Sequence, residues 1–189
     1  KGTLQVNSRP RVPEFKARFN VSRVSARPFL KDATDFDWIA GQGNVAIKIN
    51  SHGRSQREIV SALVGDGRFS FNDGAIVGVN IPQLLRGLGR GQMANLKKSE
   101  AMKTDFTLLS GSFTIKRGVA QNRDLKLVGP FLRLSGAGIV DLPVKQVDYR
   151  VKPKLVASAQ GQGGQGTLPG LEIPVIIKGS WDNPKIAPD

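Results

Sequence analysis

Apolar and charged residues alternate with a period of two through most of this chain, and that alternation limits what it can fold into. Val45, Ile47 and Ile49 point one way while Asn44, Ala46, Lys48 and Asn50 point the other. Phe69 and Phe71 oppose Arg68, Ser70 and Asn72, and Phe113 and Ile115 oppose Ser112, Thr114 and Lys116. Leu132 and Leu134 alternate with Arg133 and Ser135. Val147, Tyr149 and Val151 alternate with Asp148, Arg150 and Lys152. Successive strand side chains leave opposite faces, so each run describes a strand with one apolar and one polar side. Antiparallel sheets carry such strands, because one face can stay in water.

Turn signals separate the runs. Asn72-Asp73-Gly74 reads as a tight hairpin between Phe69–Phe71 and Ile76–Val79, since Asp-Gly accepts the positive φ angles required. Arg117-Gly118, Gly129-Pro130 and Asp141-Leu142-Pro143 punctuate a meander of strands at 112–117, 119–128, 131–140 and 144–156. The last of these would extend about 40 Å if continuous. Pro153 within it calls for an edge position or a local break.

Helices are few and short. Ser55 caps a segment in which Glu58 is placed to reach back to the Ser55 amide, with Ile59, Val60 and Leu63 as an apolar stripe ending at Gly65. Asn80 caps a second, with Pro82 in its first turn and Leu84, Leu85 and Leu88 on one side. Pro28 to Ala33 supplies one further turn. The stripes of the helices at 55–63 and 80–88 fit caps over the end of a sheet, with gating as the alternative. Residues 87–103 and the glycine- and glutamine-rich 158–170 read as flexible loops, and Trp181-Asp182-Asn183-Pro184 as a terminal turn. The expected fold is mainly β: a long antiparallel, strongly curved, groove-like meander with two or three short helices. It forms a single elongated domain over 1–189. Lys1-Gly2-Thr3 is neither an initiator methionine nor a signal peptide, which reads as a fragment of a longer protein.

Catalytic chemistry finds little support. No cysteine is present, which removes thiolate metal sites and cysteine nucleophiles together. His52 is the single histidine and reads as an exposed turn residue; no nucleophile elbow accompanies it. Asp32, Asp35 and Asp37 lack the spacing of a calcium loop, and Gly41-Gln42-Gly43 lacks the context of a dinucleotide site. No catalytic residue, metal or cofactor is expected.

Charge is more informative. Lysine and arginine number 28 against 15 acidic residues, a formal +13, which attracts polyanions. The nine phenylalanines fall mostly on the apolar side of strands, so the pattern does not favour a nucleic-acid stacking platform. An apolar sheet face must be covered, and these helices are too short to cover a long one. Either two sheets pack face to face, or the sheet curls and leaves an apolar groove able to hold acyl chains.

Several segments resemble the AsmA family. They include Phe36-Asp37-Trp38-Ile39-Ala40-Gly41-Gln42-Gly43-Asn44-Val45, Gly53-Arg54-Ser55-Gln56-Arg57-Glu58-Ile59-Val60, and Phe71-Asn72-Asp73-Gly74-Ala75-Ile76-Val77. Leu109-Ser110-Gly111-Ser112-Phe113, Arg133-Leu134-Ser135-Gly136-Ala137-Gly138, Asp148-Tyr149-Arg150-Val151 and Gly179-Ser180-Trp181-Asp182-Asn183-Pro184 continue the likeness over most of 20–189, to the carboxy-terminal region of the family. The resemblance implies a bacterial envelope protein, related to the TamB kind, anchored in the inner membrane with its body in the periplasm. It implies movement of phospholipid between membranes and a part in outer-membrane homeostasis. On that reading Val45, Ile47, Ile49, Phe69, Phe71, Phe113, Ile115, Leu132, Leu134, Val147, Tyr149 and Val151 line a lipid groove. Arg86, Arg90, Lys97 and Lys98 meet anionic headgroups. The alternative is an envelope scaffold that assists outer-membrane protein assembly through an exposed sheet edge.

Overall fold

Ten strands follow one another in a single antiparallel sheet whose spatial order is the order of the chain. They are β1 (Gly2–Asn7), β2 (Glu14–Ser25), β3 (Ile39–His52), β4 (Val64–Val77), β5 (Lys103–Lys116), β6 (Val119–Val128), β7 (Leu132–Asp141), β8 (Gln146–Leu155), β9 (Val175–Ser180) and β10 (Lys185–Pro188). This computed structural model describes residues 1–34, 38–89, 102–156, 170, 172–181 and 184–189. β1 and β10 terminate the sheet, so it is open, consistent with a curved groove. Register shifts between Val21 and Val24, Ala40 and Gln42, Ser110 and Phe113, and Asn122 and Leu125 break the ladder locally. Such bulges bend and twist a strand, which is how a long sheet acquires curvature.

Three helices bridge strand ends: α1 (Ala26–Thr34) after β2, α2 (Gln56–Ser61) after β3 and α3 (Ile81–Gly89) after β4. Their caps are those the sequence announces. Asn80 Oδ1 accepts from the Gln83 amide at 3.0 Å, and Ser55 Oγ accepts from the Glu58 amide at 3.2 Å. Glu58 differs from expectation: its carboxylate accepts from the Arg54 amide at 2.8 Å, one residue before the cap.

The core lies where α1 and α3 meet the apolar face of the sheet. Ala26 from α1 and Leu85 from α3 are buried with Val45, Phe71, Phe106, Leu109, Leu127, Leu132 and Leu155. Phe29, Leu30, Ile81 and Ile173 pack around them. Burying each large apolar side chain contributes about 2 kcal/mol. The helices therefore hold one margin of the sheet firmly.

Several expectations are corrected. Asn72-Asp73-Gly74 is not a hairpin but lies within β4, which runs unbroken from Val64 to Val77. Asp73 does adopt positive φ, 47°, and it does so as an irregularity inside a strand. Around it the buried positions change parity, from Phe106 to Leu109 on the neighbouring β5. The strand expected at 144–156 is the ten-residue β8, because Val144 and Lys145 belong to the preceding turn. Pro153 falls in the gap of the β8–β9 pairing, between the end of the continuous ladder at Val151 and the single bridge of Lys154 to Glu172. Gly87–Gly89 close α3 and Lys103 opens β5, so the loop expected at 87–103 is shorter at both ends. Residues 90–101 and 157–169 lie outside the described residues, as do Asp35 and Asp37. The turn at Trp181 is not terminal, since β10 follows it.

Candidate functional site

The strand register places all twelve of the apolar residues expected to line a groove on one face. Ile49 pairs with Gly65 and that with Ile115; Val45 pairs with Phe69; Phe71 pairs with Leu109, then Leu127, then Leu134. Leu132 pairs with Leu155, Val140 with Val147, Gly138 with Tyr149 and Gly136 with Val151. Because directly paired residues share a face, these chains of pairs carry one apolar side across the whole sheet.

That face is walled along two margins. At one, α1 and α3 cover Val45, Phe71, Leu109 and Leu132. At the other sits α2, fixed by the Ser51 hydroxyl donating to the Ile59 carbonyl at 2.5 Å. The hairpin glycine Gly118 is bound there too, its amide donating to the Leu63 carbonyl at 2.9 Å.

A row of paired residues, flanked by the helices over its amino-terminal strands, crosses all ten strands: Gly2, Phe19, Ile47, Gly67, Phe113, Asn122, Gly138, Tyr149, Ile177 and Ile186. Its apolar side chains are partly buried; the most exposed, Phe19, reaches 38%. At the usual strand spacing the row is about 43 Å long. On an open sheet consistent with a curved groove, it is the candidate floor of a trough running across the strands.

Rings lie over glycines along this floor. A methyl group at Gly67 would overlap the Phe113 ring, at Gly138 the Tyr149 ring and at Gly2 the Phe19 ring. An aromatic side chain that covers a cross-strand glycine replaces the packing the glycine lacks. It also lies low, so the floor stays shallow and smooth. The sequence reading missed these glycines. The signal was present: Gly65 and Gly67 stand in phase with Phe69 and Phe71, and Gly136 and Gly138 with Leu132 and Leu134.

One polar group interrupts the floor. Where the β5–β6 ladder opens, Asn122 Nδ2 donates to the Ser112 carbonyl at 2.6 Å and to Asp124 Oδ1 at 2.8 Å. Asp124 also accepts from the Ser112 amide and hydroxyl, both at 2.8 Å. The cluster replaces the missing ladder bonds. The Ser112 amide, then its hydroxyl, hold the Asp124 carboxyl below its ordinary range. Beside it, burial pushes the Tyr149 phenol up to about 12, with the charge of Asp124 adding to the effect. Sequence reasoning overlooked Asn122 and Asp124, although the phase change from Ala120 and Asn122 to Leu125 and Leu127 marks the bulge.

Arg86 lies in α3, while Arg90, Lys97 and Lys98 are outside the described residues. His52 ends β3 as an exposed residue.

A family model described as the AsmA family matches residues 1–125. The chain belongs to the AsmA family. The match ends within β6, and the sheet of this AsmA-family chain continues without interruption through β10. No curated protein and no solved structure matches the chain. Membership of the AsmA family is consistent with envelope-associated lipid transport or assembly.

Proposed function

We propose that this AsmA-family chain is a non-enzymatic lipid-binding and transfer module, serving phospholipid transport to the outer membrane and its homeostasis. On this reading the protein works in the periplasm, anchored to the inner membrane. One observation carries the reading: the partly exposed row from Phe19 through Ile47, Phe113 and Tyr149 to Ile177, crossing an open sheet flanked by short helices. An extended apolar surface of this kind is costly to leave in water, and acyl chains gain about 0.8 kcal/mol per buried methylene. Their length and slenderness suit a trough that is long and shallow. Native mass spectrometry of the purified chain, with denaturing lipid extraction from the same sample, is the test. Phospholipid at a defined ratio, lost on Phe113→Asp while the fold persists, is the expected result. A lipid-free chain that also refuses added phospholipid sinks the reading.

A second reading, an envelope scaffold that assists outer-membrane protein assembly, rests on β1. Every residue of that edge strand is exposed, with Leu4 at 64% and Val6 at 57%. An open edge with apolar side chains invites strand addition. Salt-insensitive association with another β-protein, without copurifying lipid, would favour it.

A further inference from the structure

The polar face of the sheet distributes its charge unevenly. Toward β9 and β10 cations meet carboxylates: Lys178 lies 3.1 Å from Asp148, and Arg150 lies 3.3 Å from Asp189. Across β6, β7 and β8 the pattern is different. Lys126, Ser135 and Lys152 form one cross-strand row, and Val128, Arg133 and Lys154 the next. Arg133 and Lys154 are directly opposed, and like charges opposed in this way destabilise an antiparallel pair.

These rows, with Arg123, line an open depression of about 430 Å³ holding five cations and two carboxylates. One carboxylate, Asp124, is taken by Ser112 and Asn122; the other, Glu172, is the cross-strand bridge partner of Lys154, which leaves Lys126 and Lys152 with no carboxylate opposite them. Among the described residues Lys126, Lys152 and Lys154 form no ion pair. With five cations against two carboxylates the depression keeps a net positive charge, and no carboxylate stands at Ser135 between Lys126 and Lys152.

A second, independent observation lies beside it. Phe131, in the turn between β6 and β7, is 52% exposed. It stands two residues before Arg133, and its carbonyl accepts from the Val156 amide at 3.1 Å, two residues beyond Lys154. A bare aromatic ring at a turn tip is unfavourable in water and favourable at a membrane interface. Clustered lysine and arginine beside such a ring are what anionic headgroups attract.

We propose that this end of the polar face docks on an anionic bilayer, with Lys126, Arg133, Lys152 and Lys154 on headgroup phosphates and the Phe131 ring in the interfacial layer. The contact lies on the opposite side of the sheet from the trough. It builds on the lipid reading only in setting the chain beside a membrane. Nucleic acid suits the surface less, because no aromatic alternates with these cations to stack a base.

Flotation of the chain with vesicles of phosphatidylethanolamine and phosphatidylglycerol, against vesicles of phosphatidylcholine alone, tests it. Binding is expected to the anionic vesicles and to weaken as salt rises. Lys126→Gln with Lys152→Gln should reduce it about tenfold or more. Phe131→Ala should reduce it severalfold without changing its salt dependence. Lys178→Gln with Lys185→Gln, removing equal charge elsewhere, should leave it within about twofold. Lipid content by native mass spectrometry should be the same in all variants, so failure of docking and failure of the trough are read separately. Equal binding to both vesicle types overturns the proposal, as does equal loss from the two double variants. So does binding of inorganic phosphate or duplex DNA through Lys126 and Lys152 with no vesicle binding.

Discussion

Tyr149 is the chain's single tyrosine and stands on the trough floor, so its phenol reports on that surface alone. Burial holds its neutral form, moving the pKa from an ordinary 10.0 to about 12. Because the unfolded phenol ionises first, Tyr149 contributes its full stabilisation below pH 10 and loses it as pH rises through the folded value. Tyrosinate absorbance should therefore show a midpoint near 12 in the folded chain and near 10 in denaturant. A folded midpoint near 10 would place the ring in water and leave the floor without its β8 contribution. Much of this surface was legible from residues alone. Val45, Phe69, Leu134 and Tyr149 share a face because a strand's parity is written directly into its sequence. The glycines beneath the rings were not legible in the same way, since a residue without a side chain carries no hydropathy to alternate.

At the scale of elements, the attachment of α3 turns on one hydroxyl. Thr104 Oγ1 donates to the Val79 carbonyl at 2.7 Å and accepts from the Ile81 amide at 2.8 Å, joining the start of the helix to β5. Thr104→Val keeps the shape and strands both backbone groups. The expected cost is about 1–3 kcal/mol, read from urea unfolding, with Thr104→Ser recovering most of it. A valine variant as stable as the parent would mean that packing of Leu85 alone holds the helix. Helix starts were readable because Ser55 and Asn80 perform a local task that few residue types can do. Asn72-Asp73-Gly74 misled for a related reason. Asp-Gly permits positive φ, but a hairpin turn and a bulge both use it, and only the strands on either side decide between them. Pro153 fits because the β8–β9 ladder ends at Val151 and resumes only as a single bridge at Lys154, a gap in pairing that no single strand reveals.

Across the whole molecule, what remains unmatched is the outer side of β1. With Leu4 and Val6 exposed on the apolar face beside that open edge, the chain should self-associate with rising concentration. Leu4→Lys with Val6→Lys should hold it monomeric in sedimentation velocity, with an unchanged far-ultraviolet spectrum. Concentration-independent sedimentation of the parent would show that the edge is inert. The global arrangement was only partly legible: one-sided strands and hairpin spacing pointed to a meander, whereas groove and sandwich differ in long-range geometry that periodicity does not encode. The meander itself has a consequence for how such a protein is made and how it changes. Each strand finds its partners in the segments immediately before and after it, so little loop entropy stands in the way of pairing. The sheet can close hairpin by hairpin as the chain emerges, with no strand waiting for a distant partner to be synthesised. Length then becomes a heritable variable. Adding or removing a pair of strands at a turn leaves every other register and the sidedness of the face intact, so a lineage can lengthen or shorten the trough two strands at a time.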